Sequence, residues 1–318
     1  MNILFVSSGN SQFGISPIVI NQGESLKNSV NVDFYVVKGK GIQGYYKNIP
    51  LLRDKLSKKK YDIIHAHYGL CGILSECARK KEKLVVSFMG SDLIGSNEVN
   101  GSYSLKRKFI VKINKYFAKN RYNYNIVKSR QMRIILKNSE NVEIIPNGVD
   151  LQRFYPMDKQ LAKKNLNLNS KKKYILFAAN PKKDVKNYPL AEKAFAIANL
   201  KNVELKIVNN VTQQILNSYY NAVDLLLLTS FHEGSPNIIK EAMACNCPIV
   251  STDVGDVKDV IENTEGCYIA SHDEKDVAMK TGEALKFAKR TNGRKHIKHL
   301  EASIIADKII KVYEQILS

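Results

Sequence analysis

Residues Leu225–Val260 read LLLLTSFHEGSPNIIKEAMACNCPIVSTDVGDVKDV, and this stretch decides the fold. Four consecutive leucines predict a buried strand, and a polar loop leads from them into a helical pattern that a second apolar strand follows. A strand, a helix and a second strand in this order form the repeating unit of a parallel sheet covered by helices. The stretch therefore predicts an α/β fold.

Two carboxylates stand eight positions apart in this unit, with Glu233 in the loop and Glu241 inside the helix. Ser235 is a favourable N-cap and Pro236 a favourable first helical residue, so backbone N–H groups are expected to point into the loop. A helix start carries partial positive charge and attracts phosphate. We expect a diphosphate at this helix start, a ribose against Glu241 and the group beyond the phosphates against Glu233.

The segment EGSPNIIKEAMACNCPIVSTDVGD (233–256) resembles the E-x7-E signature of retaining family 4 glycosyltransferases, which have the GT-B fold. In that family the first Glu contacts the donor sugar and the second contacts the nucleotide ribose. The resemblance implies these roles for Glu233 and Glu241; the alternative is a pair of solvated surface glutamates. The other donor contacts that it implies here are Gly234, Ser235, Pro236, Asn237 and Ile238.

Short apolar segments alternate with helical periodicity from Ile3 to the end of the chain, which implies doubly wound sheets. The alternation pauses between Asn147 and Lys173, where the sequence is rich in turn residues and then basic. We predict the GT-B architecture: two Rossmann-like doubly wound domains that face each other across a cleft. Residues 1–160 form the acceptor-side domain, 161–300 bind the nucleotide sugar, and the amphipathic helix in 301–318 returns to the first domain.

The segment YDIIHAHYGLCG (61–72) places His65 and His67 where a strand ends, the edge at which open α/β sheets bind ligands. Taking side chains to alternate, we expect one histidine to face the core and the other the cleft, and we assign His67 to the cleft. The segment resembles the family's H-x-H-Y-G, in which a His approaches the transferred sugar. The alternative is that both histidines are satisfied inside the fold. A metal would need a third ligand that the sequence does not offer nearby.

The segment SFMGSDL (87–93) resembles the family's T-x-H-G-S-D turn, with Met89 in place of the usual His. Asp92 is expected either to contact the donor or to cap the following helix. In FAANPKKDVKNYPL (177–190), Lys186 matches the family's diphosphate-binding Lys. Asn180 aligns by spacing with its Arg, so bidentate recognition of phosphate is in doubt.

Two further positions call for unusual backbone. Gly14, in the loop SSGNSQFGISPIV after the first strand, is expected to let the backbone approach a ligand, and that loop resembles the family's acceptor-side loop. Asn246 stands where relatives often have Gly after the E-A-M-A helix. Asn tolerates the left-handed conformation that a helix end requires.

The 318 residues carry a formal net charge of +19. No acidic residue occurs between Val99 and Ser139, and this favours an anionic partner at residues 105–137, a membrane surface rather than nucleic acid, since no nucleic-acid-binding motif is present. An apolar face recurs at helical spacing, and we expect it to pack on the first domain while the lysines meet lipid. Its members are Leu105, Phe109, Ile110, Ile113 and Phe117. Lysine-rich composition alone is the alternative.

The N-terminus lacks the basic and apolar regions of a signal peptide, no apolar run has the length of a membrane span, and the five cysteines lack a CxxC pair. We therefore expect a cytoplasmic enzyme, peripheral on the inner face of the membrane. The resemblance implies a retaining transferase that moves a hexose from a UDP- or GDP-linked donor to a glycan or lipid-linked acceptor. Its catalytic residues are His67, Lys186 and Glu233, and it needs no metal or other cofactor. The alternatives are a nucleotide-sugar 2-epimerase and a non-catalytic basic membrane-binding module.

Overall fold

A computed structural model describes residues 1–11, 14–95, 105–137 and 139–318. The chain divides into two compact units. Unit 1 contains the described residues of 1–95, 103–148 and 302–318, and unit 2 contains 149–301. The division falls after Gly148, whereas the sequence suggested residue 160. The reason lies in Asn217 and Asn221, whose side chains bond the backbone of 155–157 and so tie this segment to unit 2.

Unit 1 is built on a six-stranded parallel sheet in the order β2-β1-β3-β4-β5-β6. Its strands are β1 (Asn2–Ser8), β2 (Asn31–Val37), β3 (Ile63–His67), β4 (Lys83–Ser87), β5 (Tyr124–Val127) and β6 (Val142–Ile144). Its first helices are α1 (Pro17–Leu26), α2 (Gly41–Tyr46), α3 (Asn48–Lys58), α4 (Gly69–Ala78), α5 (Ser91–Ile94), α6 (Leu105–Asn120) and α7 (Arg130–Ile135).

Unit 2 is built on a five-stranded parallel sheet in the order β11-β10-β9-β7-β8. Its strands are β7 (Lys173–Phe177), β8 (Val203–Ile207), β9 (Leu225–Leu228), β10 (Ile249–Thr252) and β11 (Cys267–Ala270). Its helices are α8 (Lys159–Asn165), α9 (Tyr188–Ala198), α10 (Gln213–Ala222), α11 (Asn237–Ala244), α12 (Val257–Ile261), α13 (Glu274–Phe287) and α14 (Gly293–His296). The last helix, α15 (Ala302–Leu317), belongs to unit 1 and packs on α1.

The apolar runs that predicted strands form the cores of both units. All of β3 is buried, as are the four leucines of β9, because helices cover both faces of each sheet. Two α/β units with parallel sheets confirm the predicted fold class. Strand β3 extends two residues beyond the predicted end at His65 and so includes His67.

The strand order of each sheet reverses at one place. In unit 1 the reversal lies between β1 and β3, and in unit 2 it lies between β7 and β9. Open α/β sheets bind ligands outside the carboxyl ends of the strands at such a switch point. Gly14, Lys186 and Glu233 lie in the segments that follow β1, β7 and β9, and His67 is the last residue of β3, so the fold brings the predicted site residues of each unit to its switch point.

Candidate functional site

Lys186 and Glu233 form an ion pair at the switch point of unit 2. Lys186 ends a 3-10 turn (Asp184–Lys186) after β7, and Glu233 lies in the loop after β9. The Lys186 Nζ lies 2.5 Å from Glu233 Oε1, and Ser230 Oγ donates to the same oxygen at 2.8 Å. The two charged side chains keep 23% and 17% of their surface exposed, so a ligand can reach both. The sequence predicted both residues but not their pairing.

Backbone contacts fix the position of the Lys186 turn. Thr229 Oγ1 donates to the carbonyl oxygens of Lys186 and Asn187 at 3.2 and 2.9 Å. The N–H of Phe231 donates to the carbonyl of Val185 at 3.0 Å. Asn187 adopts the left-handed conformation, with a φ of 48°, before α9 begins. The two segments that hold the ion pair are therefore joined by several hydrogen bonds, which limits how far the two charges can separate.

The predicted N-cap of the helix after this loop is wrong. Helix α11 begins at Asn237, its N-cap is Pro236, and no side chain caps it. Ser235 does not cap the helix because its hydroxyl donates to Asp256 Oδ2 at 2.7 Å. Gly234, Ser235 and Pro236 are buried, whereas Asn237 and Ile238 are partly exposed. The helix start therefore offers Asn237 and Ile238 to a ligand, with the three preceding residues packed beneath.

A buried ion pair supports this loop from below. Lys240 is fully buried on α11, and its Nζ lies 2.8 Å from Asp256 Oδ2 and within hydrogen-bonding distance of Ser235 Oγ. Gly255 packs so closely on the loop that a Cβ there would lie 2.6 Å from the carbonyl oxygen of Gly234. The sequence analysis did not predict this cluster, because Lys240 and Asp256 lie 16 positions apart.

Glu241 is buried against Tyr220, a contact that the sequence did not predict. The hydroxyl of Tyr220 donates to Glu241 Oε2 at 2.8 Å, and the glutamate retains 5% of its exposed surface. Burial raises the pKa of Glu241 to about 7, an effect that the Tyr220 hydrogen bond and nearby Lys240 partly offset. Glu241 is thus a buried side chain of α11 rather than a solvated one, and its role toward a ribose stays a prediction.

Asn180 aligns with the position at which the family has an Arg, and here it forms hydrogen bonds within its own loop. Its side chain accepts a hydrogen bond from the N–H of Lys182 at 2.9 Å, and its carbonyl accepts from the N–H of Lys183 at 3.1 Å. Lys182 and Lys183 are exposed. Within the described residues of 177–190 no arginine is present to make a bidentate contact, and Lys186 is a partly buried cation of this segment.

His65 and His67 lie on the same face of β3, which corrects the expectation that one faces the core and the other a cleft. Residues two apart in a strand share a face. Their rings stack with centroids 4.3 Å apart, and both residues are buried, at 0% and 2% exposure. The Nε2 of His67 is buried without a hydrogen-bond partner. Burial, with the nearby Lys128 ammonium, lowers the pKa of His67 to about 3, so the ring is neutral.

The turn that follows His67 is strained and anchored. Tyr68 has a φ of 88°, an unusual value for an aromatic residue and one that recurs at functional sites. Asp92 holds this turn, because its carboxylate accepts hydrogen bonds from the N–H groups of Gly69, Met89 and Gly90 at 2.9 to 3.2 Å. Asp92 is 1% exposed and lies inside α5, so it is not the N-cap of a following helix; it holds the start of α4 and the 89–90 turn, and its contact with a donor stays a prediction.

Gly14 and Asn246 both have a positive φ. Gly14 has a φ of 70° and open space where a Cβ would stand, so backbone conformation accounts for glycine there, and its approach to a donor or acceptor stays a prediction. Ser11 and Gly14 bridge the loop, with Ser11 Oγ donating to the Gly14 carbonyl at 2.6 Å. Asn246 has a φ of 55°, which confirms the predicted left-handed helix end.

Helix α6 packs only partly as predicted. Leu105 and Phe109 were expected on the packed face but are 83% and 58% exposed, whereas Phe117 of the same face packs against the core of unit 1. Asn114 and Ala118 are buried, and Asn114 Nδ2 donates to the carbonyl of Asp92 at 2.7 Å. The side chains of residues 106 and 107 and all of 96–104 lie outside the described residues.

Some cations of the basic run 105–137 are buried or paired within the protein and do not form a free surface. Lys128 is buried, with its Nζ 3.2 Å from the carbonyl of Ile145. Arg121 pairs with Glu76, and Arg133 donates to the carbonyls of Leu136 and Ser139. These cations support the fold.

Across the described ranges, no helix has both the length and the apolarity to cross a membrane, and no group of three or more His, Cys, Asp or Glu side chains is placed to hold a metal ion.

Two family models match this chain in succession. Residues 19–153 match the model described as Glycosyltransferase Family 4, and residues 170–286 match the model described as Glycosyl transferases group 1. The chain belongs to the family 4 glycosyltransferases. The model over the second half spans both carboxylates of the E-x7-E segment, on which the resemblance rested.

Curated relatives agree with this assignment. This glycosyltransferase is 24% identical over 298 residues to an uncharacterised glycosyltransferase of Methanocaldococcus jannaschii, which covers 89% of this chain and 83% of that protein. It is 22% identical over 299 residues to the N-acetyl-alpha-D-glucosaminyl L-malate synthase of Bacillus anthracis, and the aligned region covers 83% of this chain and 76% of that protein.

Solved structures show the same fold. Sucrose-phosphate synthase from Thermosynechococcus elongatus has a TM-score of 0.83 at 17% identity and covers 99% of this chain and 98% of its own. HepE from Anabaena, in complex with UDP and glucose, has a TM-score of 0.74 at 15% identity, and the match covers 99% of this chain and 100% of the HepE chain. These likenesses confirm the GT-B fold of this glycosyltransferase.

Proposed function

We propose that this glycosyltransferase transfers a hexose, with retention of anomeric configuration, from a UDP- or GDP-linked sugar to a glycan or lipid-linked acceptor. The pathway that we propose is cell-surface polysaccharide synthesis. The observation that carries the proposal is the Lys186–Glu233 pair at the switch point between β7 and β9. The Lys186 ammonium is suited to bind phosphate, and the Glu233 carboxylate is suited to accept hydrogen bonds from sugar hydroxyls. The two groups are adjacent and precede the start of α11. The complex of Anabaena HepE with UDP and glucose supports a nucleotide-sugar donor.

The proposed reaction breaks the bond between the anomeric carbon and the β-phosphate oxygen, and the electron pair stays on that oxygen. The acceptor hydroxyl oxygen bonds to the same face of the anomeric carbon, and its proton passes to the leaving phosphate. Lys186 and the N–H groups at the start of α11 stabilise the developing charge. Because these groups supply positive charge, we propose that no divalent metal is required.

Glu233 and His67 would position the sugar. The unpartnered Nε2 of His67 is the feature of unit 1 that supports a ligand, since a buried nitrogen without a partner is rare and gains a hydrogen bond when a hydroxyl reaches it. A neutral imidazole can donate or accept at that nitrogen. We do not assign it the role of a covalent nucleophile.

We further propose that helix α6 rests on an anionic membrane surface. The exposed Leu105 and Phe109 would enter the lipid boundary, while Lys112 and Lys115 of the same helix face headgroups. This places the protein at the inner face of the cell membrane, where a lipid-linked acceptor is presented. We propose that these apolar side chains insert into the lipid, in addition to the contact of lysines with headgroups, because the structure leaves them exposed.

A single assay tests the reaction. Recombinant protein is incubated with UDP-glucose or GDP-mannose and a membrane extract, and the anomeric configuration of the new bond is read by NMR, with and without EDTA. Retention with undiminished rate in EDTA is the expected result. Inversion, or activity that EDTA abolishes and manganese restores, contradicts the proposed mechanism.

A further inference from the structure

A buried chain of polar groups joins the last helix of the protein to the two histidines of β3. Tyr313 lies on α15 and is fully buried, and its hydroxyl is 2.5 Å from Nδ1 of His65. The other ring nitrogen of His65, Nε2, is 2.8 Å from Ser87 Oγ on β4. Both nitrogens of His65 are therefore held, which leaves the ring no freedom to flip.

His67 packs beside the held ring of His65. The two imidazoles stack at 4.3 Å with an interplanar angle of 27°, and the ring of Phe5 contacts both, with its centroid 5.0 Å from His65 and 4.5 Å from His67. The three rings form one buried cluster, in which Nε2 of His67 has no hydrogen-bond partner. We expect a change in the orientation of His65 to alter the packing of His67.

We propose that Tyr313 is a positioning residue for His67, acting through the ring of His65. The inference rests on the proposed function in assigning a role to His67. It makes the last helix part of the catalytic machinery of unit 1, because a hydroxyl 248 positions from His65 in the chain fixes the ring on which the reactive imidazole stacks.

The substitution that isolates this effect is Tyr313→Phe, which removes the hydroxyl but keeps the ring that meets His65 edge-on at 5.7 Å. Tyr122→Phe is the matched control in the same unit, since the Tyr122 hydroxyl is also buried but has no hydrogen-bond partner. Ser87→Ala removes the other hydrogen bond to His65 and should act in the same direction.

Two readouts separate positioning from simple packing. The first is the 15N NMR signals of the histidine side chains in the full-length protein, which need no substrate: Tyr313→Phe should change the ring-nitrogen shifts of His65 and His67, and Tyr122→Phe should not. The second is hydrolysis of UDP-glucose, the donor whose parts occupy the similar Anabaena structure. Tyr313→Phe should lower kcat about three- to tenfold, the worth of one neutral hydrogen bond, and leave KM unchanged.

The outcomes distinguish this inference from the function on which it rests. Unchanged histidine signals, or full kcat in Tyr313→Phe beside a lost kcat in His67→Ala, overturn the inference and leave the proposed role of His67 intact. Full kcat in His67→Ala overturns both. Altered signals with a lowered kcat in Tyr313→Phe, and neither change in Tyr122→Phe, support it.

Discussion

Nζ of Lys186 lies 2.5 Å from Oε1 of Glu233, so the cation that we assign to phosphate is paired with the carboxylate that we assign to sugar. The pair is partly exposed, and a surface ion pair of this kind contributes only about 1 kcal/mol or less to stability. A bound diphosphate can therefore compete for Lys186. In the proposed function, we expect the Glu233 carboxylate to restrain the lysine until the donor binds and then to become available to the sugar.

Replacing Glu233 with Gln tests this competition. The variant Glu233→Gln keeps the size of the side chain but removes its charge, so UDP should bind at least as tightly as it does to the wild type while UDP-glucose turnover falls. Calorimetry and a turnover assay measure the two effects separately. The exposed Glu262→Gln serves as control. Weakened UDP binding in Glu233→Gln would show that the carboxylate supports the nucleotide rather than the sugar.

Glu241 predicts a pH dependence of stability. Its pKa is raised by burial to about 7, whereas the ordinary value is 4.5. Between these values the folded chain holds a proton that the unfolded chain has lost, so the free energy of unfolding is highest below the window and falls as pH rises through it. The variant Glu241→Gln lacks this contribution, and relative to wild type it should gain on the order of 3 kcal/mol between pH 4.5 and pH 7.

Urea unfolding of both proteins without nucleotide, at the two ends of that pH window, measures the difference. A stability difference between wild type and Glu241→Gln that does not change with pH would mean that Glu241 is not protonated in the folded chain at neutral pH.

The buried Lys240–Asp256 pair predicts a large loss of stability on removal of one partner. The variant Lys240→Met leaves the Asp256 carboxylate buried without a cation and should cost about 3–5 kcal/mol of unfolding free energy. Adding Asp256→Asn should recover part of that loss. Lys258→Met, at an exposed position on α12, provides the control. Equal unfolding midpoints for Lys240→Met and Lys258→Met would contradict the structure of this cluster.

We predict that helix α6 binds anionic vesicles through its exposed apolar side chains and that this binding persists at high salt. Apolar side chains in the lipid boundary are not screened by salt, whereas lysine attraction is, so wild-type binding should decline but persist at about 1 M salt. Leu105→Ser with Phe109→Ser should lose the salt-resistant part. Ile134→Ser is the control, since Ile134 is an exposed apolar residue on α7. Co-sedimentation that ignores lipid charge and is equal in all variants would rule out this surface.

The parts of this fold that follow from local sequence were predictable. The leucines of β9 form a strand because helices cover both faces of the sheet, and the loop after it carries Glu233 because a parallel strand must turn into a crossover helix there. Asn246 adopts its left-handed conformation for a reason local to one residue. The strand and loop pattern therefore predicted the segments that carry Lys186 and Glu233, although it did not predict that the two side chains pair.

The errors arose where a distant residue decided the local outcome. Ser235 is a good N-cap by type, but Asp256, distant in sequence, takes its hydroxyl. Leu105 of α6 is exposed although Phe117 of the same face packs on the core, and Asn114 on this helix bonds to the backbone at Asp92, which is distant in sequence. Neither partner can be read from a window of neighbouring residues. The assignment of His65 and His67 to opposite faces failed for a simpler reason, since residues two apart in a strand lie on the same side.

Calorimetric titration of UDP and GDP into the wild type, Lys186→Met and Glu241→Ala tests most directly whether a nucleotide diphosphate binds at the switch point of unit 2. The wild type should bind one of the two nucleotides, and each variant should bind it about ten- to hundredfold more weakly, because each loses a charge-assisted hydrogen bond of about 1.5–3 kcal/mol. Lys182→Met, an exposed lysine of the same loop, should bind as the wild type does. Equal affinity in all four proteins, or no affinity in the wild type, would contradict the account.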